Sequence, residues 1–207
     1  MNKPAILLPP DAAAPSSGQN LVLFRIYLVY RALLSILLLL MIMLPATRQI
    51  VASGNPTLYS IVAMLFLFSN ILLLATVAAR WQQSTARLVA LFGVDIACIT
   101  LLAGASGGMA SGLPLLLTVT VASSAVLIGN RTIATLVAAL AVLAVLADTA
   151  RLISQQVVPI NALLPAGLLG LLFFVVSGIM QVIVMRLGTA EALASTRAGD
   201  LYRLQRL

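Results

Sequence analysis

The chain has 207 residues, 62% of them hydrophobic and 8% charged, with a mean hydropathy of +1.14, whereas a soluble domain carries about 25% charged residues. So little polar surface cannot be wetted, which excludes a water-soluble globular enzyme and makes lipid the expected solvent. The net charge of +7 does not imply nucleic acid either, because the basic residues form no patch and stand singly at the ends of apolar runs, where they meet anionic lipid head groups.

There is no histidine, and Cys98 is the single cysteine. An intrachain disulfide is therefore impossible, and a His/Cys metal or haem site lacks its donors, so no cofactor is expected. Cys98 lies in an apolar run and reads as a small buried hydrophobe, not a reactive thiol.

Residues 1–20 form a Pro/Ala/Ser-rich lead with Pro4, Pro9, Pro10 and Pro15, too poor in apolar surface to order itself. A signal peptide competes for this stretch, since Lys3 precedes a hydrophobic run. However, Asp11 interrupts the lead, the run Leu21 to Leu44 exceeds an h-region, and no small-x-small site follows. The first helix is expected to be retained.

A bilayer core of about 30 Å needs ~20 apolar residues per helix. Six segments meet or approach that length: 21–44, 57–79, 87–105, 112–129, 132–150 and 160–186. Breakers or charges separate them: Pro45 and Gly54-Asn55-Pro56, Arg80 to Arg87, the glycine-rich 104–112, Gly129-Asn130-Arg131, and Arg151 to Pro159. The expected fold is all-α, a polytopic bundle of six transmembrane helices over 21–186; the fourth and fifth segments are short and joined by a three-residue turn.

Orientation follows from the positive-inside rule. With the N-terminus inside, the cytoplasmic set holds Lys3, Arg25, Arg31, Arg80, Arg87, Arg131, Arg186, Arg197, Arg203 and Arg206, leaving Arg48 and Arg151 outside. Dropping any one helix would break this sorting, so both termini are expected in the cytoplasm.

After Met185 the composition becomes polar. Leu187, Ala190, Ala194, Leu201 and Leu204 fall at a/d heptad spacing, with Arg197 the misfit. Residues 187–207 therefore read either as the start of a two-stranded cytoplasmic coiled coil, joining a homodimer, or as a solvated amphipathic tail. Gly188 and Gly199 weaken the helix on its own.

An ionisable group near the bilayer centre costs about 3 kcal/mol on insertion scales, so each asks for a reason. Asp95 lies about eight residues, or ~12 Å of helix rise, from the cytoplasmic end of the third helix. Asn70 sits at a similar depth across the 80–87 hairpin, and Arg31 reaches a comparable level about ten residues into the first helix. A buried cluster of Arg31, Asp95 and Asn70 would satisfy all three. Such a cluster either fixes helix packing or forms a bistable contact that a ligand or partner helix disturbs. Asp148 and Arg151 are explained by an i,i+3 interfacial pair.

The run Gly104 to Leu113 contains Gly107, Gly108, Ser111 and Gly112. It is either a flexible outer loop or a turn packed among the helices. Phosphate cradling is disfavoured, since no Lys-Ser/Thr follows. Tyr27 and Tyr30 suit an interfacial aromatic belt as well as a sensing face.

Several of these features resemble one family in order and spacing. Arg25-Ile26-Tyr27-Leu28-Val29-Tyr30-Arg31 resembles the R-x-Y-x-x-Y-R opening of the first membrane helix in the PilS-type sensor histidine kinases of type IV pilus regulation. Asn70, Val94-Asp95, the run Gly107 to Leu113 and the turn Gly129-Asn130-Arg131 follow in the family's order. The resemblance covers about 21–207; the outer loops and the proline-rich lead do not match closely. It implies a six-helix input region in the bacterial inner membrane. That region would pass a signal, the hydrophobic helix of pilin within the bilayer, through 187–207 to a PAS domain and a dimeric histidine kinase. Arg25, Tyr27, Tyr30, Arg31, Asn70, Asp95, Gly107, Gly108, Ser111 and Gly112 are accordingly the candidates for signal sensing or for packing. The sequence stops before any kinase, and with no histidine phosphoacceptor and no ATP-binding boxes the chain itself is not expected to be an enzyme. It is expected to be a piece of a longer kinase or a stand-alone sensor.

The rival class is a small-solute transporter or channel subunit. Transporters show inverted repeats and broken helices at the midplane, and no convincing repeat or sufficient set of intramembrane polar groups stands out here. A membrane enzyme would have only Asp95 and Asp148 for acid–base work, without partners.

Overall fold

The computed structural model describes residues 17–44, 54–78 and 84–204, with side chains described for 22–44, 54–75 and 84–187. Within them run six α-helices: α1 (Ser17–Met43), α2 (Pro56–Ala78), α3 (Thr85–Ala105), α4 (Leu116–Leu127), α5 (Arg131–Ser154) and α6 (Leu163–Leu204). No strand occurs among the described residues. The chain is an all-α multi-pass membrane protein. Five helices are long and apolar enough to cross a bilayer, while the apolar stretch that contains α4, Leu113–Leu127, is shorter.

Asparagine, proline and glycine set two of the helix starts. The Asn55 side chain accepts from Leu58 N–H at 3.1 Å, and Pro56 opens α2, where its missing N–H costs nothing. Asn130 accepts from Thr132 N–H at 3.0 Å and Ile133 N–H at 3.4 Å, capping α5. Gly129 supplies the positive φ of 66° that reverses the chain between α4 and α5.

Several boundaries differ from expectation. Helix α1 begins at Ser17, inside the segment expected to be a disordered lead, and residues 1–16 lie outside the described residues. The fourth span is the largest departure: 112–129 is divided into a 3-10 turn, Leu113–Leu115, and a twelve-residue helix. Gly112 takes φ 72° and Pro114 follows it, so a continuous α-helix cannot start there. The depth left by α4 is filled by the preceding turn, where Gly108, Leu113 and Pro114 are buried. Of the two readings of the glycine-rich stretch, the packed turn is the one adopted.

Helix α3 is central, packing on α2, α4 and α5; α1 pairs with α2, and α6 packs on α4 and α5. One core cluster joins the first half of α1 to α3–α6 through Phe24, Phe92, Val121, Ala138 and Phe173. A second joins the later half of α1 to α2 and the end of α3 through Leu38, Tyr59, Phe66, Cys98 and Leu102. Cys98 is thus a buried packing residue. The outward faces are apolar too: Leu33 is 63% exposed, Phe68 63% and Leu164 70%. A helix hydrophobic all round belongs in lipid.

Two ends can be distinguished. At the proximal end α1 begins. At the distal end the start of α2 meets the end of α3, where Gly54 and Asn55 N–H groups donate to the Ala105 carbonyl at 3.2 and 2.9 Å. A Cβ on Gly54 would stand 2.8 Å from that oxygen, and one on Gly104 would stand 2.6 Å from Asp148 Oδ1. Glycine at both places lets backbone approach backbone, or an ion pair, without a side chain between. Asp148 and Arg151 form the i,i+3 pair at 2.9 Å, directly against α3.

Candidate functional site

The site is a buried polar cluster where α1, α2 and α3 meet. Helical periodicity places its members. On α1 the buried positions are Phe24, Tyr27, Leu28, Arg31, Leu34, Ser35, Leu38 and Ile42, spaced by three and four, so Tyr27 and Arg31 share the inward face. On α3 the same spacing carries Leu88, Leu91, Asp95, Cys98 and Leu102 inward, and on α2 it carries Phe66, Asn70 and Leu73.

Arg31 Nη2 and Asp95 Oδ1 stand 2.6 Å apart, with side-chain exposures of 1% and 2%. The Tyr27 hydroxyl donates to the other carboxylate oxygen of Asp95. Arg31 Nη2 also donates to Ser69 Oγ at 2.9 Å, and its guanidinium lies 5.2 Å from the Phe66 ring centroid, a cation–π contact. Asn70 Nδ2 donates to the Arg31 carbonyl at 3.2 Å and the Phe66 carbonyl at 3.3 Å. Tyr27 packs on Phe92 with centroids 5.3 Å apart. One formal positive and one formal negative charge thus cancel out of water, held by groups from three helices.

The cluster is not fully satisfied. Arg31 Nε and Nη1 and the Tyr30 hydroxyl are buried without a hydrogen-bond partner. Unmet donors in a low-dielectric interior are costly, so the arrangement holds less than its full bonding capacity.

Arg31, Asn70 and Asp95, whose depths match in the sequence, are therefore brought together, with Tyr27 joining them. Tyr30 lies beside Tyr27 at 6.4 Å without bonding the carboxylate. Arg25 is exposed and lies outside the cluster. Gly107, Gly108, Ser111 and Gly112 sit on the distal turn, beyond ten residues of α3 from Asp95, or ~15 Å of rise, and form a separate locality. There Ser111 Oγ donates to the Gly108 carbonyl at 2.7 Å and accepts from Leu113 N–H at 3.3 Å, which ties the turn to itself. Leu187 is exposed on α6; Ala190, Ala194, Leu201 and Leu204 belong to its backbone, and their side chains lie outside the described residues.

Sequence reading missed Ser69 and Phe66, and it missed a second polar seam. Near the proximal end, Gln181 of α6 donates to Ser177 Oγ at 3.2 Å and to Thr135 Oγ1 of α5 at 3.4 Å. Gln181 and Ser177 are buried. The available signal was an amide in an apolar run, one turn after a serine.

Comparison with known proteins identifies the family. The model of the PilS-like transmembrane domain family matches residues 15–194. The chain is also 31% identical over 192 residues to the sensor protein kinase PilS of Pseudomonas aeruginosa, an alignment covering 93% of this chain and 36% of that protein. No solved structure matches the chain. Taken with the six-helix bundle, the match over most of its length means that the chain belongs to the family of PilS-like transmembrane domains.

Proposed function

We propose that the chain is the signal-input module of a two-component sensor histidine kinase. It lies in the bacterial inner membrane with both ends cytoplasmic: a lead over 1–20, a sensor bundle over 21–186 and a signalling helix over 187–207. The observation that carries this reading is α6. It is one helix of 42 residues, ~63 Å at 1.5 Å per residue, against a hydrocarbon core of about 30 Å. One continuous helix therefore extends beyond the membrane bundle, and a shift or rotation of α6 is carried along it.

The signal is an apolar helix in the bilayer, the pilin transmembrane segment by family resemblance, met by the apolar outward faces of α1 and α2. Its effect is to bias the Arg31–Asp95 contact between two packings, which requires different affinities for the two states. The change passes from α3 through α5 to α6, and the tail pairs with that of a second copy. The phosphoryl chemistry belongs to a kinase attached beyond this region.

Reporter fusions after Leu204 test the orientation: a cytoplasmic reporter active there, and a periplasmic one silent, is the expected pair. The purified chain in liposomes is expected to show no solute flux, whereas transport of a small solute would favour the rival class. Gln181→Leu removes the side-chain hydrogen bond from α6 to Thr135 of α5 without adding bulk. It is expected to leave insertion intact and to change basal phosphorylation in a full-length kinase by several-fold; unaltered phosphorylation would remove Gln181 from the transmission route.

A further inference from the structure

Beneath the distal turn, between α3, α4 and α5, lies a cavity of about 10 Å³ lined by Thr100, Gly108, Met109, Pro114, Asp148 and Thr149 among others. That is the lower limit of space for the centre of one water molecule. Most of the lining is apolar, and three polar side chains, Thr100, Asp148 and Thr149, stand in it. The Thr100 hydroxyl is buried and makes no hydrogen bond within the protein. The Thr149 hydroxyl donates to the Val145 carbonyl at 2.8 Å, which leaves its lone pairs free to accept. Asp148 Oδ1 is engaged by Arg151 Nε and Nη2 at 3.3 and 2.9 Å, while no protein donor reaches Oδ2 among the described contacts.

We propose that this cavity is a hydration site for a single water molecule, which accepts from the Thr100 hydroxyl and donates to Asp148 and Thr149. Three hydrogen bonds is the usual complement of a buried water, and here it gives the Thr100 hydroxyl the partner it lacks within the protein. A cation is the wrong occupant: the Asp148 charge is already balanced by Arg151 at 2.9 Å, and the space admits no coordination shell. An apolar guest is wrong as well, since the Thr100 hydroxyl would remain unmet. The water ties α3 to α5 beneath the packed turn, at the level where Gly108 meets Leu152.

The sign of one isosteric substitution tests this. Thr118 also has a buried hydroxyl without a partner, but it does not line this cavity. Replacing an unsatisfied buried hydroxyl by a methyl group removes a desolvation penalty; replacing one that holds a water removes a bond and leaves the water short of partners. Thr100→Val is therefore expected to melt below the unsubstituted chain in nanodiscs by about 2–4 °C, and Thr118→Val to melt at or above it. Thr100→Val melting as high as Thr118→Val overturns the proposal. A map of the chain that resolves ordered water is expected to show a peak within hydrogen-bonding distance of Thr100, Thr149 and Asp148; a cavity without that peak overturns it equally.

Discussion

Arg31→Ala is expected to destabilise the bundle by about 3–5 kcal/mol, the usual cost of stripping one partner from a buried ion pair. The substitution leaves the Asp95 carboxylate, with 2% side-chain exposure, with only the Tyr27 hydroxyl as a donor. It also frees Ser69 Oγ and removes the cation above Phe66. The bilayer offers no water to re-solvate the carboxylate, and a lone aspartate near a helix centre is opposed by about 3 kcal/mol on insertion scales alone. Removing both charges is a different experiment. Arg31→Leu combined with Asp95→Leu leaves no unpaired ion and replaces the pair with apolar volume, which is often neutral or stabilising. The double variant is thus expected to recover most of the loss in melting temperature and in steady-state abundance. If Arg31→Ala proves as stable as the double variant, the pair is not electrostatically coupled in the way its geometry indicates.

The cluster was partly legible before the fold was known because helix rise converts sequence distance into depth. Arg31, Asn70 and Asp95 stand at comparable heights on three successive antiparallel spans, and buried charge needs company. Which side chain would bridge them was not legible. Tyr27 fits an interfacial belt equally well by sequence, and only the facing of α1 against α3 turns its hydroxyl to Asp95. Ser69 is hidden for a related reason: a serine costs little in a membrane helix and carries no signal of its own. Hydropathy located six apolar stretches but could not see that the fourth is shortened, because the cause is the positive φ of Gly112 ahead of Pro114. It was equally blind to the packing of Gly104 on the Asp148–Arg151 pair, because Gly104 and Asp148 lie 44 residues apart on different helices. Gln181 was lost inside a run read for its apolarity, though its amide reaches Thr135 across the helix interface.

Asp95→Asn separates the role of the pair in packing from its role in signalling. Asparagine keeps the shape and an oxygen that can accept from Tyr27 or Arg31, so the three helices retain their contacts. It removes the negative charge, and Arg31 then stays buried with Ser69, the Phe66 ring and a neutral amide. A contact that distinguishes two packings by its electrostatic strength is weakened more in the tighter state, and the equilibrium moves toward the other. Coupling energies of 1–3 kcal/mol correspond to about 5–150-fold. The chain is therefore expected to insert and accumulate near the unsubstituted level. In a full-length kinase, basal autophosphorylation is expected to shift by roughly fivefold or more, and the response to the stimulus to narrow, because part of the population has already moved. A folded Asp95→Asn protein with the same basal output and the same response would mean that Arg31 and Asp95 hold the helices together and carry no message.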